Sequence, residues 1–381
     1  MRPKVDAQTV MLAHSRAKVE LYKTYLPIYL NILGKVSSVT KIYLFDLLCG
    51  EGIYQDGSKG SPIVALEAIK DYYYSHNQTC PDMEVLLNDK GSSQIEKGIF
   101  KIDRVRNYCS RIAIPQNVQV TYCQEDFEAV YADALHRIRN DKNAKGLFFI
   151  DPYGYKIIRP DHIREILSGG NAEVILFLPA SNMYRFAEKS LQEPFPGSEA
   201  LREFLNTLFQ GVNPAFSSVT DFIQQVKVKL RSKLSDLDIY VDTFTLQRDY
   251  QNTYCLFFFT SSLLGFHKML EAKWKLDTDQ GRGSTLNRTL PLWDGLHVSD
   301  YPEKVLNFIR SAPFRTNEEL YTFGLQEGYL PKHTNRVLSD QKKSHHIEVF
   351  SLDGEPVRGN YIEYRSVRQV GFRVHPNIPL F

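Results

Sequence analysis

Short apolar runs of strand length alternate with longer helical stretches along the first half of the chain, and this alternation restricts the fold more than any other feature. The apolar runs occupy residues 42–48, 85–87, 118–122, 147–150 and 174–178. The stretches between them, around residues 62–74, 94–105, 128–138 and 161–167, are long enough for crossover helices. Strands that alternate with helices predict an α/β domain built on a doubly wound, mainly parallel sheet.

The segments around this core predict further helices and strands. Residues 8–33 have helical spacing interrupted by Pro27, which predicts a kinked helix or two short ones. A helical insertion is expected at about residues 181–236, followed by an antiparallel strand pair at 239–246 and 254–260 and a helix at 264–274. The polar, glycine-rich segment 278–284 is typical of a linker or mobile loop. Together these segments predict one Rossmann-like domain over residues 1–285.

The chain from residue 297 to 381 has a different pattern. Helical periodicity at residues 302–310, 317–324 and 332–344 precedes two β-like runs, 346–352 and 361–364, around a turn at Asp353-Gly354. Three short helices followed by a β-hairpin are typical of a winged-helix-like domain.

Composition excludes several other classes of protein. The 46 Lys and Arg nearly balance the 44 Asp and Glu, and the 43% apolar and 24% charged residues are ordinary for a globular chain, so disorder and a coiled coil are excluded. The five cysteines lie far apart without a Cys-x-x-Cys pair, which argues against a zinc ribbon, an iron–sulfur cluster or a disulfide framework. No long apolar run or signal-like start occurs, so we expect a soluble cytoplasmic protein without a bound metal.

A glycine-rich loop follows the first predicted strand. Gly50 and Gly52 allow a sharp turn and close approach to a ligand, but Gln55 breaks the dinucleotide-binding pattern of three glycines. Asp46 lies four residues before Gly50, and this spacing resembles the loop of class I methyltransferases that binds S-adenosylmethionine (AdoMet). The alternative is an ordinary strand-to-helix turn with a solvated aspartate.

Two further acidic residues follow predicted strands. Asp89 lies at the tip of the second strand, where Rossmann-type folds hold ribose hydroxyls. Asp126 follows the third strand, at the position from which methyltransferases contact the adenine amino group. We therefore predict that both residues bind the cofactor together with Asp46, although acids at strand ends also serve as helix caps.

The fourth strand runs into Asp151-Pro152-Tyr153-Gly154-Tyr155. This sequence resembles the Asn/Asp-Pro-Pro-Tyr/Phe loop of amino-group methyltransferases. That likeness makes Asp151 and the Pro152 carbonyl the acceptors for a target amine, and Tyr153 or Tyr155 the ring that stacks on a flipped base. The second proline is missing here, and a simple turn with Asp151 as a helix cap is the alternative.

The ordered set of motifs resembles the three-Cys-motif partner (TcmP) proteins over roughly residues 8–275. The set includes the loop from Asp46 to Gly52, the Asp151-Pro152 loop, and three further elements, which are Gly60-Ser61-Pro62, Met269…Lys273-Trp274 and Lys18…Tyr22…Tyr25-Leu26. The resemblance implies a methyltransferase-like Rossmann domain. It also implies a protein partner, a radical-AdoMet-like protein with a three-cysteine motif.

Basic residues concentrate in the C-terminal segment, where we expect contacts to DNA or RNA. The predicted contacts are Lys332, Arg336, Lys342, Lys343 and Arg358. Acidic residues elsewhere in this segment nearly cancel the charge, and winged helices also bind proteins, so both kinds of partner stay open.

These observations favour an AdoMet-dependent methyltransferase that acts on a nucleic-acid base or a related amine. The second hypothesis is a non-catalytic, methyltransferase-like component of a multi-gene system, such as a defence or mobile-element system, that binds nucleic acid or protein. A magnesium nuclease ranks last because no Asp/Glu-x-Lys pair follows a strand.

Overall fold

The structure is a computed structural model that describes residues 10–75, 80–152, 158–193, 195–212, 214–249, 252–276, 283–285 and 300–375. The chain divides into two compact units, Met1–Gly265 with Gly283–Leu286, and Phe266–Arg282 with Asn287–Phe381. None of the described helices is both long enough and apolar enough to cross a membrane.

The strands of the first unit are β1 (Lys41–Asp46), β2 (Asp82–Asn88), β3 (Val118–Cys123), β4 (Ala144–Ile150), β5 (Ala172–Leu178), β6 (Tyr240–Asp249), β7 (Asn252–Thr260) and β8 (Gly283–Thr285). Its helices are α1 (Ala13–Leu33), α2 (Ser61–Ser75), α3 (Lys101–Cys109), α4 (Phe127–Asn140), α5 (Pro160–Leu167), α6 (Ala180–Gln192), α7 (Glu199–Phe209) and α8 (Val219–Lys233), and a short 3₁₀ turn follows at Ser235–Leu237.

The strands form a single sheet in the order β3-β2-β1-β4-β5-β7-β6-β8. Strands β1 to β5 pair in parallel, whereas β7 runs antiparallel to both β5 and β6. This order, with an antiparallel β7 inserted between β5 and β6, is that of the Rossmann-like methyltransferase fold. The predicted doubly wound, mainly parallel sheet is therefore confirmed.

Helices cover both faces of the sheet because neighbouring strand residues point in opposite directions. Phe148 packs in one large apolar cluster with residues of α4 to α8. The next residue, Phe149, meets Tyr22 of α1 on the other face with ring centroids 4.6 Å apart. Strands buried on both faces explain the nearly continuous apolar runs in the sequence.

Helix α1 continues through Pro27 as a single helix, so of the two predicted alternatives the pair of short helices does not form. Helix α3 begins only at Lys101, because the segment before it is held as a loop by a bridge between Ser92 and Phe100. Ser93 stabilises that loop by accepting backbone N–H groups through its hydroxyl group.

The second unit begins within α9 (Leu263–Leu276), and its described residues form three further helices and a small antiparallel sheet. These elements are α10 (Tyr301–Arg310), β9 (Arg315–Thr316), α11 (Asn317–Gln326), α12 (Pro331–Lys343), β10 (Ile347–Ser351) and β11 (Val370–Val374), with the strand order β10-β11-β9. Inside this unit, Trp274 of α9 donates its indole N–H to the Gly328 carbonyl at 3.0 Å.

The last predicted strand was placed wrongly. Residues 361–364 are not a strand, because Tyr361 at φ 52° and, just beyond, Arg365 at φ 50° adopt left-handed backbone angles incompatible with extended pairing. The partner of β10 is instead β11. The predicted turn at Gly354 does form, with φ 90°.

Candidate functional site

Two of the predicted site acids, Asp46 and Asp151, lie where the strand order of the sheet reverses. Strand β1 pairs with β2 on one side and β4 on the other, and Asp46 aligns with Phe149 of β4. Asp151 follows two residues beyond Phe149. Open α/β sheets bind ligands in the crevice at such a switch point, outside the carboxyl ends of the strands. The fold therefore brings Asp46 and Asp151 to the same edge of the sheet.

Asp46 is a buried carboxyl group, with 3% of the residue exposed. Its Oδ2 accepts a hydrogen bond from the Ser61 hydroxyl at 2.6 Å, whereas Oδ1 has no well-aligned partner among the described residues. Burial raises the pKa of Asp46 to about 7, and the negative charge of Asp151 contributes in the same direction. The Ser61 hydrogen bond, Lys18 and the Leu48 backbone offset part of this rise in pKa.

The glycine loop turns through left-handed backbone angles at both predicted glycines. Gly50 has φ 70° and Gly52 has φ 74°, a region that side chains disfavour. Gly52 also lies against α3, because an added Cβ atom would come within 2.8 Å of Val105 Cγ2. The loop closes through a hydrogen bond from the Gly60 N–H to the Gly52 carbonyl at 2.6 Å.

Asp89 lies beside this loop and holds its backbone. Asp89 Oδ2 accepts from the Gly50 N–H at 3.0 Å, and Oδ1 accepts from the Gly91 N–H at 2.7 Å. Lys101 Nζ lies 4.0 Å from Oδ1. Burial raises the pKa of Asp89, and Lys101 and the two backbone donors partly offset the effect. Each carboxylate oxygen can accept two hydrogen bonds, and the described backbone supplies one donor to each.

Glu51, which was not among the residues predicted from the sequence, anchors the loop to α3. Its buried carboxylate accepts from Arg104 Nη1 at 2.6 Å, from the Ser93 hydroxyl at 2.9 Å and from the Gln94 N–H at 2.7 Å. Arg104 also donates to the Ile53 carbonyl at 3.1 Å. The negative residue between the two glycines was visible in the sequence, but its partners are 42 or more residues away.

Asp151 forms an ion pair with Lys18 of α1. The Lys18 side chain is only 7% exposed and that of Asp151 is 24% exposed. The Lys18 ammonium group also lies 4.4 Å from the centre of the Phe177 ring. In the sequence, Lys18 stands out only as part of a family resemblance, and no local signal connects it to a residue 133 positions away.

Only part of the remaining Asp-Pro-Tyr-Gly motif lies within the described residues. Pro152 is buried, whereas Tyr153 and Tyr155 lie outside the described residues. Tyr54, in the glycine loop, has its pKa raised by burial and by the negative charges of Asp151 and Glu51. Tyr54 is thus a described aromatic residue of the glycine loop that responds to the charge of these acids and that was not predicted from the sequence.

Asp126 differs from the other predicted cofactor ligands. Its side chain is 73% exposed and accepts from Lys90 Nζ at 2.6 Å. It stands at the N-cap position of α4 without a side-chain capping bond. No described contact connects Asp126 to Asp46 or Asp89, and its role in adenine recognition stays a prediction.

The predicted nucleic-acid residues fall into two groups. Lys332, Arg336, Lys343 and Arg358 are exposed. Lys342, in contrast, donates to the Val357 and Arg358 carbonyls at 2.6 and 3.0 Å, so its ammonium group is engaged in holding the backbone. Burial lowers the pKa of Lys342.

In the described part of the chain, no three His, Cys, Asp or Glu side chains are grouped so that they could hold a metal ion. Neither a protein-family model nor a curated protein matches the sequence.

Several solved structures resemble the chain. Trm1 from Pyrococcus horikoshii in complex with S-adenosyl-L-methionine is 15% identical, with a TM-score of 0.36 over 80% of this chain and 75% of that one. An O-methyltransferase from Bacillus cereus in complex with SAH is 13% identical, with a TM-score of 0.32 over 68% of this chain and 93% of that one. The O-methyltransferase TomG from Streptomyces achromogenes in complex with SAM is 12% identical, with a TM-score of 0.32 over 65% and 87%. At these values the likeness is remote, and it does not transfer a ligand or a reaction to this chain.

Proposed function

We propose that the first unit is an AdoMet-dependent methyltransferase whose acceptor is the amino group of a nucleic-acid base or a related amine. The observation that carries the proposal is Asp46, a buried carboxyl group at the switch point of the sheet. The neighbouring acids have cationic partners, since Glu51 pairs with Arg104 and Asp151 with Lys18. The hydrogen-bond donor to Asp46 is instead the uncharged Ser61 hydroxyl, which leaves this carboxyl group suited to a cationic ligand.

The residues of the loop fit AdoMet. Asp46 Oδ1 would accept from the amino group of its methionine part, and the carboxylate of Asp89 would take the ribose hydroxyls. Gly50 and Gly52 would let the backbone pass close to the ligand. When bound, AdoMet supplies an activated methyl group.

Asp151 and the Pro152 carbonyl would hold the acceptor amine. Lys18 engages Asp151 Oδ2, so Oδ1 is the oxygen left to accept an amine N–H. Because the pair is already neutral overall, Asp151 would orient an uncharged amine rather than act as a strong base. Tyr54, whose pKa is raised by burial and by the negative charge of Asp151, is the described aromatic residue that would line the acceptor site.

Titration calorimetry with AdoMet tests the cofactor assignment. We expect wild-type protein to bind, and Asp46→Asn and Asp89→Asn to bind at least tenfold more weakly. Asp103→Asn, which removes an exposed acid of α3 paired with Arg106, is the matched control and should bind normally. Equal affinity for wild type and Asp46→Asn would exclude the assignment.

Transfer of a radiolabelled methyl group to DNA, RNA and purified candidate partner proteins tests the reaction. We expect label on a nucleic acid with wild-type protein and its loss with Asp151→Ala, while Asp103→Asn stays active. If AdoMet binds but wild type labels every acceptor no better than Asp151→Ala, the protein is not an enzyme for these acceptors.

One observation favours the second hypothesis, a non-catalytic component that retains the fold. Lys18 already occupies Asp151, the residue that would hold the acceptor amine. On this hypothesis AdoMet binding would be absent or would change only the affinity for a partner. The TcmP resemblance makes a radical-AdoMet-like protein with a three-cysteine motif the partner to test, by co-purification with and without AdoMet.

A further inference from the structure

The loop between β10 and β11, residues 352–369, is held rigidly although it contains no strand of its own. We name it the wing loop. Asn317 of α11 donates to the Tyr361 and Arg368 carbonyls at 2.9 and 3.0 Å and accepts from the Val370 N–H at 3.1 Å. Asn317 is 1% exposed, so these bonds are shielded from water.

Helix α12 fixes the other side of the wing loop. Asn335 donates to the Ile362 carbonyl at 3.2 Å, and Asn360 of the loop donates to the Asn335 carbonyl and the Ser339 hydroxyl at 3.2 and 3.1 Å. Lys342 binds the loop backbone near its start. These anchors account for the left-handed angles at Tyr361 and Arg365, which persist only where the surroundings impose them.

The anchored loop exposes two arginines around an apolar tip. Arg365 and Arg368 are exposed, and Val367 between them is 102% exposed. The Arg368 guanidinium group lies 5.2 Å from the Tyr361 ring and donates to its hydroxyl at 3.0 Å. The Arg365 guanidinium group lies 5.3 Å from the Tyr364 ring. Both guanidinium groups are thus held beside tyrosine rings by cation–π contacts.

A basic stripe of α12 borders this loop. At 100° per residue, Lys332, Arg336 and Lys343 fall within about 40° of one another on the helix circumference, with Asp340 at their edge. The residues that hold the loop, Asn335 and Ser339, fall within the next quarter turn. The basic stripe therefore lies next to the face of α12 that holds the wing loop.

We propose that this surface, formed by Lys332, Arg336, Lys343, Arg365 and Arg368, binds the phosphate backbone of a nucleic acid. Arginine presents parallel N–H donors that match phosphate oxygens. Asp353, Glu355 and Glu363 share the wing loop, and Glu363 accepts from Ser366. Arg365-Ser366-Val367-Arg368 is free of acidic residues, so the positive charge is concentrated at the tip.

Fluorescence anisotropy with labelled 20-nucleotide probes tests the proposal on the full-length chain. The probes are single-stranded DNA, duplex DNA, single-stranded RNA and, as the acidic-protein alternative, polyglutamate. We expect at least one nucleic acid to bind, and Arg365→Gln/Arg368→Gln to weaken binding about tenfold and to reduce the salt slope by about 2. Arg373→Gln removes the same kind of charge from β11, where Arg373 pairs with Glu348, and should change neither quantity.

Two outcomes would overturn the proposal: tighter binding of polyglutamate than of every nucleic acid, or no effect of the Arg365→Gln/Arg368→Gln change on affinity and salt slope. Lys342→Met distinguishes residues that hold the loop from residues that contact the ligand. It should lower the thermal stability of the protein, whereas the Arg365→Gln/Arg368→Gln change should not. This inference does not require methyl transfer. A chain that binds oligonucleotides but not AdoMet would contradict the proposed function and leave this inference standing.

Discussion

Replacing Lys18 with methionine tests whether the ion pair with Asp151 forms as the structure shows it. Methionine keeps an unbranched apolar side chain, so the main loss is the ammonium group. Removing one partner of a buried ion pair costs about 3–5 kcal/mol, because the other charge stays buried and unpaired. Asp151 is 24% exposed, so water relieves part of this cost. We therefore expect Lys18→Met to lower the free energy of unfolding by about 2–3 kcal/mol.

A double-mutant cycle isolates the contribution of the pair. Asp151→Asn alone leaves the Lys18 ammonium group buried over Phe177 and should cost about 2 kcal/mol. The double variant contains no unpaired charge, so its loss should be well below the sum of the two single losses. Residues in direct contact typically show a coupling energy of about 0.5–3 kcal/mol, and we expect a value in the upper half of this range.

Urea unfolding followed by circular dichroism at pH 7.5 measures the cycle. The matched control is the surface pair of Lys59 and Glu67, whose side chains are 44% and 33% exposed and should couple by less than about 1 kcal/mol. Additive losses for Lys18→Met and Asp151→Asn would show that the two residues are not paired in solution. Lys18 would then have no place in the candidate site.

Three further predictions concern buried groups of the first unit. The pKa of Asp46 is about 7, above its unfolded value near 4, so the folded chain binds this proton more tightly and stability falls as pH rises from about 4 to 7. Between pH 5 and 8, the unfolding free energy measured with urea should therefore fall by up to about 3 kcal/mol less in Asp46→Asn than in wild type. An unchanged slope would contradict the raised pKa. Gly52→Ala should lower the stability of the protein in thermal unfolding by about 1–3 kcal/mol, because it places an alanine with left-handed backbone angles against Val105. If the variant is as stable as wild type, the loop does not turn as the structure shows it. Tyr25→Phe removes the hydroxyl that donates to Glu173 Oε2 at 2.5 Å and should cost about 1–3 kcal/mol in urea unfolding, so a loss below about 0.5 kcal/mol would contradict this buried bond.

The sheet was predictable because the parallel strands β1, β2, β4 and β5 are buried on both faces and are therefore mostly apolar. The predicted run at residues 147–150 lies inside β4, and the run at 174–178 lies inside β5. The same signal was unreliable in the C-terminal segment. Residues 361–364 look like a strand because they contain two tyrosines and an isoleucine, but hydrogen bonds from Asn317 and Asn335 hold them as a loop. Such long-range side-chain bonds leave no local pattern in the sequence.

The three acids predicted to bind the cofactor show why position at a strand end does not determine the chemistry of a carboxyl group. Asp46 and Asp89 are 3% and 4% exposed, whereas the side chain of Asp126 is 73% exposed. This difference in exposure depends on helices that are distant in sequence and pack beside the acid. The first residue of α2, Ser61, binds Asp46, and the first residue of α3, Lys101, approaches Asp89.

No comparable element covers Asp126 among the described residues, and its ion-pair partner is the exposed Lys90. A surface pair of this kind is screened by solvent and contributes little to stability, so Asp126 is free to change partner. The buried pair of acids, in contrast, is fixed before a ligand arrives. On the proposed function, AdoMet affinity should therefore depend strongly on Asp46 and Asp89 and less on Asp126, whose carboxylate would have to exchange Lys90 for the adenine amino group.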